Sequence, residues 1–157
     1  QNSRPTGLEL ESINSYELIV EDLLNDANTI GLYRDDIISK IELRLRRNGI
    51  VPKSVGDNVP YLYIDVFVRE DQLSSGKSVG FSATIDISFK RVVNYSVFDE
   101  ENSEPNNFSN YSIYGETWRL PTMNLALSER NAKSRIIEKI LDRVDRFSSE
   151  LIKANEK

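Results

Sequence analysis

The chain has 157 residues, 39% hydrophobic and 29% charged, with a formal net charge of −5 and neither histidine nor cysteine. That balance describes a folded chain, expected as a single domain over 1–157 with a flexible leader over 1–7. It excludes disulfides, imidazole and thiol catalysis, and the ligands of zinc, copper and iron–sulfur sites, so no metal and no cofactor is expected.

Residues 8–13 alternate at period two, and residues 16–24 continue the pattern, with Tyr16, Leu18 and Val20 opposite Glu17, Ile19 and Glu21. This predicts a first strand over 16–24. A polar connection over 25–31 follows. Ile37, Ile38, Ile41 and Leu45 recur at helical spacing and predict a helix over 35–48, with Asp35 as N-cap and Gly49 as its left-handed end. Arg44, Arg46 and Arg47 invite a phosphate site, but cations in a last helical turn also offset the helix dipole, and that reading is preferred. The other basic residues are interleaved with acids, which argues against nucleic acid as a partner.

After a loop over 51–58, residues 61–69 make the clearest strand. Leu62, Ile64, Val66 and Val68 share one face; Tyr61, Tyr63, Asp65, Phe67 and Arg69 share the other. A turn over 74–77 leads to a third strand in which Val79, Phe81, Ala83, Ile85, Ile87 and Phe89 alternate with small polar residues. Such alternation marks an antiparallel sheet with one buried and one wet face. Residues 99–110 read as the tip of a long hairpin, and 111–120 as strand four, ended by Pro121. Ser128 is the expected N-cap of a helix over 129–153, roughly 37 Å long. The fold class is therefore α+β: a four-stranded, mainly antiparallel sheet with two helices on one face, in the order β-α-β-β-β-α. No apolar run approaches the roughly 20 residues of a transmembrane helix.

Few residues could carry chemistry. A Ser–Lys pair would need Lys40, Lys77, Lys90 or Lys133, none of which sits in a catalytic motif. Asp65 and Asp86 fall on the wet face of adjacent strands and could approach one another, although solvated surface residues are the simpler reading. Asp99, Glu100, Glu101 and Glu104 lack the spacing and central glycine of a calcium loop. No glycine-rich phosphate loop is present. The glycosylation patterns at Asn94, Asn107 and Asn110 are close to the number that the Asn and Ser content gives by chance. No catalytic residue is assigned, and the chain reads as a non-enzyme, with a carboxylate or Ser–Lys hydrolase as the remote alternative.

The aromatic residues are more informative. Tyr61, Tyr63 and Phe67 share the wet face of the second strand, while Tyr95, Phe98, Phe108, Tyr111 and Tyr114 gather along the hairpin arms. Exposed apolar patches mark partner sites, and these eight residues are the candidate surface for a protein or other envelope component. Cross-strand packing within the hairpin is the competing explanation. The strand edges and the aromatic hairpin would also suit a self-associating homo-oligomer.

Ile30-Gly31-Leu32, Asp35-Asp36-Ile37, residues 41–46, Gly49-Ile50 and residues 60–64 together form a recurring pattern. It resembles uncharacterised exported bacterial proteins of β-α-β-β-β-α order, similar in architecture to lipopolysaccharide-assembly lipoproteins and transporter-auxiliary lipoproteins. The resemblance implies the fold and a binding or assembly role in a bacterial cell envelope, and carries over no functional residue. Gln1 stands where a mature lipoprotein would carry its cysteine. The only methionine is Met123, and the polar start over 1–5 suits a mature end left by signal-peptide cleavage. An exported or periplasmic location is the expectation, with a cytoplasmic one as the alternative.

Overall fold

The computed structural model describes residues 10–53, 55–98 and 108–156. The expected leader, the first part of the 8–13 segment and the acidic hairpin tip fall outside them. Strand β1 (Glu17–Val20) pairs parallel with β2 (Tyr61–Gln72), and β2 pairs antiparallel with β3 (Ser78–Phe98). On its other side β3 pairs antiparallel with β4 (Phe108–Arg119) and, nearer its start, with β5 (Met123–Leu127). The sheet is open, in the order β1-β2-β3-β4, with β5 alongside β3.

The alternation expected of β2 and β3 decides which face is buried. Leu62, Ile64, Val66, Val68, Phe81, Ala83, Ile85, Ile87 and Phe89 are all buried. Helix α1 (Asn25–Thr29) is short; α2 (Arg34–Arg47) and α3 (Ala132–Asn155) cover that face with Ile37, Ile41 and Leu45, and with Ile136, Ile140, Val144 and Phe147. Phe147 lies at the centre, its ring 5.6 Å from Phe89, 5.3 Å from Trp118 and 5.9 Å from Tyr16. The Tyr16 hydroxyl donates to the Ile50 carbonyl at 2.6 Å, and burial pushes that phenol well above its ordinary pKa.

The α+β class, the mainly antiparallel sheet and the order of the six expected elements are as expected. The structure adds β5 and α1. Residues 120–122 explain why β5 is hard to read: three residues oppose two between the pairs Arg119↔Ser88 and Met123↔Ile85, which is a β-bulge. Pro121 has no N–H to give the ladder, and its carbonyl instead accepts from the Arg143 guanidinium. The strand therefore resumes past a residue that normally ends one. Residues 25–31 contain α1, a helix too short for periodicity to register. The side chain of Asp26 on α1 accepts the Glu70 backbone N–H at 2.9 Å.

Other boundaries also move. Val79 is 59% exposed rather than buried, because it is the extra residue where the β2–β3 register shifts between Asp71↔Gly80 and Gln72↔Ser78. Asp35 lies inside the first turn of α2, after Tyr33 at the N-cap, and α3 begins after Asn131, to which the Ser128 hydroxyl is bonded at 2.9 Å. Neither helix has a side-chain cap. The end of α2 is as expected: Gly49 has φ +79°, with Gly49 N–H bonded to Arg46 and Ile50 N–H to Leu45, the Schellman pattern.

Candidate functional site

The sheet leaves two surfaces uncovered by the helices. The first is the open face. There Tyr61 lies between Tyr63 (ring centroids 6.3 Å apart) and Tyr114 (5.3 Å). Lys90 sits over the Tyr63 ring, its Nζ 4.0 Å from the centroid, a cation–π contact. The Tyr63 hydroxyl donates to Glu21; desolvation, then this acceptor, hold the phenol above its ordinary pKa. These rings therefore use much of their surface on one another. Phe67 stands apart from them, 44% exposed, across from Thr84.

Asp65 and Asp86 are direct register partners on the same face. Desolvation, then the Asp86 charge, then Glu21 raise the Asp65 carboxyl above its ordinary range, against a backbone hydrogen bond at Val66 that lowers it. Asp86 accepts a hydrogen bond from the Thr122 hydroxyl. Among the described residues, no group of three or more acidic side chains is placed to hold a metal.

The second surface is the hairpin formed by the end of β3 and the start of β4. Strand parity gives it two unlike sides. Asn94, Ser96, Asn110 and Ser112 occupy one, where Ser96 donates to Asn110 at 2.6 Å and Ser112 donates to Asn94. Val93, Tyr95, Val97, Tyr111 and Ile113 occupy the other and are 37–53% exposed. Tyr95 and Tyr111 are paired in the ladder, with rings stacked at 5.4 Å and 21°, and Val93 is paired with Ile113. This apolar side continues the face that the helices cover lower in the sheet, at Phe81 to Phe89. Gly115 helps to close it, since a Cβ there would meet the Val93 side chain at 2.9 Å.

The expected aromatic surface is thus divided. Tyr114 joins Tyr61 and Tyr63 on the open face, whereas Tyr95 and Tyr111 lie on the opposite side of the hairpin. Phe98 and Phe108 pair as backbone at the far end of the ladder, and their side chains are outside the described residues. Val93, Val97 and Ile113 belong to the exposed surface but do not stand out in the sequence. Their signal is the alternation that resumes at Val93, after Arg91 and Val92 interrupt it.

Two further candidates, Arg44 and Lys133, are engaged elsewhere. Arg44 pairs with Asp145 at 2.6 Å, and Asn48 bonds both Asp145 and Ser148 at 2.9 Å, in a cleft of about 420 Å³ between α2 and α3. Lys133 forms an ion pair with Asp36 at 3.7 Å.

No protein-family model and no curated protein sequence matches the chain. Among solved structures, rare lipoprotein B from Shewanella oneidensis is similar over 88% of this chain and 92% of its own, with 14% identity and a TM-score of 0.30. A minor lipoprotein from Acinetobacter baumannii is similar over the same shares, with 11% identity and a TM-score of 0.34.

Proposed function

We propose that this chain is a non-enzymatic binding or assembly module of a bacterial cell envelope, and that it docks a protein or other envelope component through the apolar side of its hairpin. One observation carries the reading: five apolar side chains stand exposed together on a ribbon whose other side is a polar Asn–Ser ladder. A ribbon that needed only to be solvated would gain nothing from that division, whereas exposed apolar patches rimmed by polar groups mark partner sites. The missing imidazole and thiol groups, and the use of Lys90 and Lys133 in contacts of their own, support the non-enzymatic part. The envelope part rests on the sequence resemblance described above.

The test is recovery of envelope components on the tagged full chain from a detergent-solubilised envelope extract. A Tyr95→Ser/Tyr111→Ser/Ile113→Ser variant is expected to lose at least tenfold in recovery. A Tyr61→Ser/Tyr63→Ser/Phe67→Ser variant is expected to retain it. The reverse pattern would move the docking surface to the open face, and equal recovery by all three proteins would remove both surfaces.

A further inference from the structure

The hairpin also has a free strand edge. Among the described residues, β4 pairs only with β3, so its outer backbone edge is unpaired. Beyond Lys90, where its pairing with β2 ends, the opposite edge of β3 is unpaired among these residues as well, but it opens on Arg91, whose guanidinium donates to the Glu11 carbonyl at 3.2 Å. The edges of the sheet body are blunted in familiar ways. Strand β1 is only four residues long, Asp26 on α1 takes an N–H of β2 beyond it, and β5 is five residues long and preceded by Pro121. Among the described residues, no such device protects β4. Its residues 108–115, Phe-Ser-Asn-Tyr-Ser-Ile-Tyr-Gly, include no proline and no charged residue in a chain that is 29% charged.

We infer that the outer edge of β4 pairs antiparallel with β4 of a second copy of this chain, about a two-fold axis at Ser112. The charge pattern permits a second copy, and the self-complementary run Tyr111-Ser112-Ile113 selects it. Two molecules of net charge −5 repel one another, and this strip is where they can meet without opposed charges. The nearest charge, Glu116, forms an ion pair with Arg119 on its own strand at 3.1 Å. In the two-fold register Glu116 falls opposite position 108 of the other copy. The two Glu116 residues are then separated by eight residue steps, roughly 27 Å at about 3.4 Å per residue, well beyond the screening length of about 8 Å at physiological salt.

Parity selects the centre. Only a register centred on a residue keeps the apolar sides of both hairpins together, and Ser112 sets Tyr111 of each copy opposite Ile113 of the other. Aromatic and β-branched residues make favourable cross-strand pairs. The paired hairpins form a four-stranded ribbon with one continuous apolar side. The inference goes beyond the docking reading, because it concerns the backbone edge of the hairpin. Tyr111 and Ile113 serve both, but Ser112 lies on the other side of the ribbon, so substitution there tests the edge alone and the two fail separately.

Light scattering of the unaltered chain over a concentration series is expected to show the mass rising from one chain to two. Ser112→Lys sets two ammonium groups opposite one another and is expected to raise the dissociation constant at least tenfold. Because the chain has no cysteine, Ser112→Cys is expected to give a disulfide-linked dimer under mild oxidation. Ser109→Cys is not, since its copies would lie roughly 20 Å apart in this register. A monomer at every concentration overturns the inference. So does a dimer that is unaffected by Ser112→Lys, or one that cross-links through position 109 as readily as through position 112.

Discussion

Asp65 and Asp86 face each other on the open sheet, and like charges directly opposite weaken a strand pair. The Asp65 carboxyl is raised in the folded chain, so the folded state holds a proton more readily there than the unfolded chain does. The contribution of this group to stability therefore falls as pH rises from the ordinary carboxylate range through the raised value. Asp65→Asn is expected to stabilise the protein by about 0.5 kcal/mol at neutral pH, which raises Tm by about 1–2 °C. The gain should vanish in acid, where the Asp65 carboxyl is protonated. Thermal melts at pH 7 and pH 3 check this, and a gain that persists at pH 3 would show that packing, not charge, is responsible. The approach of these two residues is legible in the sequence, because both strands alternate cleanly and the pair falls on the wet face of each. Their direct opposition is not, because register depends on the turn and on the shift at Gln72, which leave little local signal.

At the scale of elements, periodicity carries most of the fold. The stripes of α2 and α3 and the alternation of β2 and β3 name 17 of the 26 buried hydrophobic side chains among the described residues, because burial on one side is what creates those periods. Irregular backbone is where the reading stops. Strand β5 lies behind Pro121 and a bulge, Val79 occupies a register shift, and both main helices begin without a capping side chain. Long-range polar contacts are equally invisible. The link between α2 and α3 through Arg44, Asn48, Asp145 and Ser148 joins residues about a hundred positions apart. Asp145→Ala is expected to cost about 1–2 kcal/mol, since it removes a partly exposed ion pair and unseats Asn48. Ile140→Ala, which empties a buried site at the sheet–helix interface, should cost about 2–4 kcal/mol. Chemical denaturation ranks the two, and an Asp145→Ala loss larger than that of Ile140→Ala would contradict the account of where the stability lies.

At the scale of the whole molecule, one apolar side of the sheet has two fates. Over the body it is covered by helices; along the hairpin it continues into Val93, Tyr95 and Val97, beside Tyr111 and Ile113, and is exposed. The aromatic residues of this surface are conspicuous in the sequence, but the side of the ribbon each occupies is not, because that depends on the extra residue at Thr117, which resets the parity of β4 against β3. The central claim is that this side docks a partner. Site-specific photo-cross-linking in the host cell tests it most directly, with the cross-linking residue placed at position 95 or 113 of the hairpin, or at position 67 of the open face. The account predicts discrete adducts from 95 and 113 and none from 67. Adducts from 67 alone, or from none of the three positions, would contradict it.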